Sequence, residues 1–324
     1  MAIPGMDEIE DILDPVIPIP DDVGPSLSDI LPQGYLSVSQ ATMVLKCPYS
    51  WFLKYVQRCR GAASARMFQG IQVHRAVEHM LETLLYTGAL PPLDVSTDVY
   101  SDTFNEQIKL IDDWEGQTQG EVKDLGIKCT RVYHQEASGV AMPVNVEKTF
   151  STVIAIRTSD GVEIQLPVLG RIDSIQVQAF NEQEYQDIRE KVAPALTQQK
   201  EAGAKRLTEP KVTKPLRVHD LKVVTNRWNE DKIKNSLQFM LYAGVEHVPD
   251  IQVDQIIKGQ AKVPKPRYEA LTSIMTPADV SHGVNVLSGV AETIASGRFP
   301  LCDPSCWWCS DKWCSMWSFC RGKK

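Results

Sequence analysis

The 324-residue chain holds 43% hydrophobic residues and carries a formal net charge of -7, enough apolar material for one large domain or two modest ones. No run is long and apolar enough to span a bilayer, and the opening MAIPGMDEIEDILD lacks the positive flank and apolar stretch of an export signal, so a cytoplasmic protein with no membrane partner is expected. The acidic total does not exclude a nucleic-acid partner. Residues 1–34 hold eight acids (Asp7, Glu8, Glu10, Asp11, Asp14, Asp21, Asp22, Asp29) and no base, which leaves 33 acids against 34 bases beyond them.

Residues 1–34, acidic and Pro-rich, bury too little apolar surface to offset chain entropy and are expected to form a disordered tail. From Ser37 the pattern becomes helical, with a Ser capping signal, and Pro48 divides LSVSQATMVLKCPYSWFLKYV into two short helices. A longer helix is predicted at about 66–86, followed by a mainly helical stretch to 135. Residues 144–177 alternate as two paired strands around a Ser-Asp-Gly turn. A charged helix at 181–206 reads as an insertion before the apolar strand LRVHDLKVVT. A helix with Gln238 and Tyr242, strands VDQIIKGQAK and YEALTSIMT, and a helix at about 277–297 lead to the cysteine-rich end.

Three separated motifs carry acid, base and imidazole groups. In Gly70-x3-His74-x3-Glu78 the last two residues share one helix face, so an imidazole can face a metal with a carboxylate beside it. Gly170-Arg171-Ile172-Asp173 ends an apolar run, where a buried carboxylate needs a metal or a cation. In Asp220-Leu221-Lys222 the acid and the ammonium project from one face of a strand. Each alone also admits a plain structural reading: a helical His in the core, a turn Asp beside Arg171, and an edge-strand ion pair of little energetic weight.

Taken in order, His74, Gly170-x2-Asp173, Asp220-x-Lys222 and Gln238-x3-Tyr242 resemble the RecB-like branch of the PD-(D/E)XK nucleases. Cys47 in CPYSWFLKY and the terminal cysteines resemble that branch's iron-sulfur subgroup, which includes AddB nuclease domains, CRISPR-adaptation exonucleases and phage or viral exonucleases. The resemblance spans about residues 36–320. It implies an α/β, restriction-endonuclease-like fold: a mixed central sheet flanked by helices, with a helical N-terminal region and a C-terminal iron-sulfur cysteine cluster. The nuclease domain is expected over 35–324, mainly helical to 140, with a catalytic core at 141–300, a helical insertion at about 178–210 and the cysteine cluster at 301–324.

The same resemblance implies that His74, Asp173, Asp220 and the Leu221 carbonyl ligate Mg²⁺ or Mn²⁺. Lys222 would position the attacking water or help deprotonate it, with Gln238 and Tyr242 supporting Lys222 and the DNA strand. The implied activity is hydrolysis at DNA ends, single strands included, in recombination, repair or phage and viral DNA processing, with a protein partner or oligomer possible. An end-trimming nuclease of CRISPR spacer acquisition and a non-catalytic iron-sulfur DNA-binding subunit are the alternatives.

Eight cysteines in a chain without an export signal point to metal or redox chemistry rather than disulfides, and five of them fall in CDPSCWWCSDKWCSMWSFC. By resemblance Cys47, Cys309, Cys314 and Cys320 would hold a 4Fe-4S cluster, with Cys306 as a competing ligand. A local zinc knuckle from Cys302, Cys306, Cys309 and Cys314 is also permitted by the spacing. The four tryptophans there are expected to shield the metal.

Overall fold

In the computed structural model of the chain, the described residues are 26–61, 63–157, 161–179, 181–201, 212–259 and 265–322. Two long strands, β2 (Pro143–Arg157) and β3 (Glu163–Val177), pair antiparallel along almost their whole length. The predicted turn between them lies mostly outside the described residues. Because β2 takes one edge of β3 throughout, the other edge is shared end to end by two strands. The two-residue β1 (Leu36–Ser37) pairs parallel with Val168 and Leu169, and β4 (Leu216–Val224) pairs antiparallel with Ser174–Val177. From Gly170 to Asp173 that edge is left without a strand partner, and the site forms there.

β5 (Asp250–Ile257) adds parallel to β4 and β6 (Arg267–Ile274) antiparallel to β5, so the sheet is mixed. A parallel neighbour needs a crossover. Here α7 (Glu230–Lys234) and α8 (Leu237–Glu246) supply it and place α8 over the sheet at β4.

The N-terminal helices follow their local signals. Ser37 caps α1 (Val38–Lys46) by accepting from the Gln40 amide, and Pro48 opens α2 (Pro48–Trp51) at the position where its missing N–H costs nothing. Ser64 caps α3 (Ala65–Thr87), whose stripe Phe68, Val73, Ala76, Val77, Met80, Leu81 and Leu84 is buried against α4 (Leu93–Gln107), α5 (Gln119–Glu136) and β2. On the far side, α9 (Pro277–Ala295) packs on α8, and a last short helix, α10 (Trp317–Arg321), closes the chain. Buried side chains from Leu27 to Ile294 make one contiguous core.

One expectation is corrected. Residues 26–34 are not a tail: Leu27 and Leu31 are each 3% exposed, and Ser26 bridges to Gln165 on β3. Residues 1–25 lie outside the described residues. The stretch read as an insertion contains α6 (Glu182–Glu201), which is integral to the core. Its Tyr185, Val192, Ala193 and Leu196 are buried, the Tyr185 hydroxyl donates to the Pro143 carbonyl at 3.2 Å, and Arg189 donates to the last carbonyls of α3, at Leu85 and Tyr86. Residues 202–211 lie outside the described residues. No described helix is long and apolar enough to cross a membrane.

Candidate active site

Where β4 leaves β3, the carboxylate of Asp173 takes over the role of a ladder partner. The Leu221 amide donates to Asp173 Oδ2 at 2.8 Å, and His74 Nδ1, from α3, lies 3.4 Å from the same oxygen. Asp220 and Lys222, two apart on β4, both face α8: Lys222 Nζ is 2.7 Å from Asp220 Oδ2. Asp220 is 1% exposed, and the Lys222 ammonium is the charged neighbour of its Oδ2.

Gln238 and Tyr242 stand four apart on one face of α8 and complete a directed network. Gln238 Nε2 donates to Asp220 Oδ1 at 2.7 Å and to the Tyr242 hydroxyl at 2.9 Å, and its Oε1 accepts from Lys222 at 3.2 Å. The Tyr242 hydroxyl in turn donates to the Arg171 carbonyl at 2.5 Å. Only one orientation of the Gln238 amide serves both an ammonium donor and a carboxylate acceptor, so each side chain here fixes the next.

The glycine of the Gly-x2-Asp motif has a steric reason. A Cβ on Gly170 would come within 2.1 Å of the Phe150 ring, which crosses over it from β2 and meets Tyr242 edge-on at 5.9 Å. Phe150 thus couples the bare position on β3 to the α8 tyrosine. Gly70 has no such neighbour. Glu78, expected beside His74, instead receives Arg171 Nη2 at 3.2 Å, and the Arg171 Nε pairs with Glu147 on β2.

Glu147 is a site residue that sequence reading passed over. In VNVEKTF it has the look of an ordinary polar position on an alternating strand. Its φ of 53° is in the left-handed region, which a Glu in a strand rarely adopts. Burial, then the charge of Asp173, push its carboxyl up to about 8, with Glu78 and Glu82 adding and Arg171 opposing. Burial likewise raises Asp173 and lifts Asp220 to about 6, Lys222 offsetting part of each. Burial pulls the His74 imidazole down to about 4 against the pull of Asp220, leaving it neutral, the form that binds metals.

Behind Leu221 lies a second missed carboxylate, Asp254 on β5. Burial alone would raise it, but hydrogen bonds from His219 (3.0 Å), Tyr268 (2.6 Å) and Gln252 (2.7 Å) hold it below the usual carboxylate range. Among the described residues, no three His, Cys, Asp or Glu side chains converge as a ready-made metal cage.

Residues 35–199 match the family described as the PD-(D/E)XK nuclease superfamily, half of the chain, including His74 and Asp173. This chain belongs to that superfamily. No curated protein matches it. Solved structures similar to this PD-(D/E)XK nuclease include an exonuclease candidate from Eubacterium rectale, with a TM-score of 0.44, 13% identity, and 85% of this chain and 86% of that one covered. Another is SSO0001, with a TM-score of 0.37, 11% identity, and 98% and 94% covered.

The nuclease also gathers its cysteines. A cavity of about 330 Å³ between α1, α2 and the chain's end is lined by Cys47, Cys302, Cys309, Cys314 and Cys320. Burial and hydrogen bonding with Cys309 and Cys47 push the Cys302 thiol up to about 12. Cys306 sits in a tight turn beside this cavity's lining, in which its amide donates to the Asp303 carbonyl and its carbonyl accepts from Cys309. Of the tryptophans, Trp308 is anchored by Nε1 to the Lys46 carbonyl at 3.3 Å, whereas Trp307 and Trp313 are 68% and 50% exposed and stack on each other edge-on.

Proposed function

We propose that this nuclease is a metal-dependent exonuclease that hydrolyses phosphodiester bonds at DNA ends, single strands included, in recombination, repair or phage and viral DNA processing. The observation that carries the reading is the meeting of Asp173, Asp220, Lys222, Gln238 and Tyr242 from β3, β4 and α8 in one directed network beside His74.

The donors fit a hard divalent cation, Mg²⁺ or Mn²⁺: two carboxylates, the Leu221 carbonyl and one neutral imidazole. Asp220 Oδ2, buried beside the Lys222 ammonium, is an oxygen that such a cation could take up. When bound, such a cation lowers the pKa of a water and neutralises charge on the scissile phosphate. The Lys222 ammonium, held between Asp220 and Gln238, orients the attacking water and faces the oxygens on which charge builds. Tyr242 and Gln238 keep that ammonium in place.

In the same proposal Cys47, Cys309, Cys314 and Cys320 hold a 4Fe-4S cluster. Thiolates from the α1–α2 junction and from the chain's end facing one cavity fit such a group. Its part is structural, tying the first helices to the last.

The test is Mn²⁺-dependent degradation of end-labelled linear and of circular single-stranded DNA by anaerobically purified protein, with Lys222→Ala as control. Loss of linear DNA alone, abolished in the variant, supports the reading. An iron-loaded wild type that binds DNA without cutting it points to the binding-subunit alternative.

A further inference from the structure

Next to Lys222, which pairs with Asp220, stand two further cations, Lys232 and Lys46. Trp228, in the loop after β4, is fixed on two sides: its amide donates to Gln255 Oε1 at 2.6 Å and its ring meets Phe239 edge-on at 6.2 Å. Two ammonium groups approach that ring, Lys232 Nζ at 4.1 Å and Lys222 Nζ at 5.7 Å from its centroid. Lys232 sits in α7, which Asn229 caps by accepting from the Lys232 amide at 3.0 Å. Lys46, at the end of α1, adds a third cation: its charge is felt at Lys232, whose pKa is lowered by burial and then by Lys222 and Lys46.

Of the nearby acids, Asp231 is the chain neighbour of Lys232 in α7, and two others are paired with further cations. Glu230 pairs with Lys234, and Glu269 with Arg227 and Arg267. Among the described residues neither Lys46 nor Lys232 has an ion pair with an acid. A π-face holds a cation without neutralising it, so the ring concentrates positive charge next to Lys222. Self-repelling cations held on a fixed platform are suited to a polyanion that passes between them. Lys46 also lines the cysteine cavity, so the cations run from the catalytic lysine toward the chain's end.

We infer that Lys232, braced on Trp228, and Lys46 form a phosphate-binding subsite that holds a nucleic-acid strand as it leads away from Lys222. The inference rests on the nuclease reading for its substrate, but binding without cutting tests it separately.

The experiment is anisotropy titration of a fluorescein-labelled oligothymidylate in EDTA at several salt concentrations, with wild type, Lys46→Ala, Lys232→Ala, Trp228→Phe, Trp228→Leu, and Lys191→Ala on the distant helix α6 as control. The expected result is a slope of log affinity against log salt smaller by ~0.7 for each subsite lysine removed, with Lys191→Ala unchanged. Trp228→Phe keeps the platform and binds more tightly than Trp228→Leu. Equal slopes in wild type and both subsite lysine variants overturn the subsite even if the wild type cuts DNA, as does an equal fall in Lys191→Ala. Absence of any binding by wild type overturns it together with the nuclease reading. Binding with the expected slopes but no cutting in Mn²⁺ leaves the subsite standing and removes the exonuclease.

Discussion

On the β2–β3 ladder Glu147 and Asp173 fall between the same two partner pairs, Val146 with Ser174 and Lys148 with Ile172, and the charge of Asp173 is felt at the half-buried Glu147 carboxyl. Its backbone is in the left-handed region and its side chain is tied to Arg171. The site thus holds more acid than its own cations neutralise.

That excess sets a pH dependence for the metal-free protein. A carboxyl whose folded pKa is raised from 4.5 to about 8 favours folding when protonated. Its contribution is lost as pH rises across that interval, because the folded state then binds more protons than the unfolded one. Thermal melts in EDTA should therefore show wild type losing stability between about pH 5 and 8, with a flatter profile in Glu147→Gln. Added Mg²⁺ should raise the melting temperature more at pH 8 than at pH 6, since the cation competes with protons. Parallel profiles for wild type and Glu147→Gln would remove Glu147 from the site's electrostatics.

Gly170→Ala should damage the site without touching any substrate. Its methyl collides with Phe150, and displacing that ring disturbs Tyr242 and, through it, Gln238. Overpacking of this kind costs roughly 1–3 kcal/mol. Denaturant midpoints and cutting rates should both fall, and Gly170→Ala with Phe150→Leu should recover more stability than the two single changes sum to. Additive effects in that cycle would mean that the ring is not the obstacle.

How much of this was legible in the sequence depends on the range of the interaction that places each residue. His74, Asp173, Asp220, Lys222, Gln238 and Tyr242 obey local spacings, two along a strand or four along a helix, so the pattern announces which of them share a face. Pro48 and Ser37 act within one turn and were equally readable. Glu147 depends on a left-handed backbone angle and on register with a strand some 25 residues on, and nothing in VNVEKTF encodes either. Leu27 and Leu31 are buried only because β3 passes nearby, a contact their acidic, Pro-rich surroundings conceal. Asp254 reads as a lone acid in a strand until His219 and Tyr268, on the neighbouring strands, are placed beside it.

Lys222 and Gln238 should separate by the kind of loss they cause. Lys222→Ala removes the group proposed to face the reacting phosphate, and cutting should fall about 10²–10⁴-fold, the range for a positioned acid–base side chain. DNA binding and iron content should stay close to wild type. Gln238→Ala removes only the brace between Asp220, Lys222 and Tyr242. Its loss should be smaller and should come with a displaced pH–rate profile, because Asp220 keeps its lysine but loses a hydrogen bond. Gln238→Glu, which puts a second carboxylate against Asp220, should be worse than Ala. Equal activity in wild type and Lys222→Ala would sink the assigned site.

Two truncations test the buried leucines near the amino terminus. A chain beginning at Ser26 keeps Leu27 and Leu31. One beginning at Gly34 loses both, and at about 1.5–3 kcal/mol for each buried Leu it should be less stable by several kcal/mol. Thermal melts of the two decide the point: coincident curves would show that residues 26–33 contribute nothing to the core.

The cysteines divide by whether they face the cavity. On the proposed ligand set, Cys306→Ser should keep its iron and its melting temperature, because Cys306 is not among the cysteines that line the cavity with Cys47, Cys309, Cys314 and Cys320. Cys320→Ala should lose the brown colour and part of the stability, since it removes one of the four proposed thiolates. Cys302 is the informative position. Its thiol contacts those of Cys47 and Cys309 in the same cavity, so it can replace a missing ligand. Iron measured in Cys309→Ser, Cys302→Ser and the double variant reads this out: partial retention in Cys309→Ser that vanishes in the double variant assigns Cys302 as the reserve ligand. Full iron in Cys320→Ala together with loss in Cys306→Ser would reverse the assignment and return the site to the local four-cysteine set.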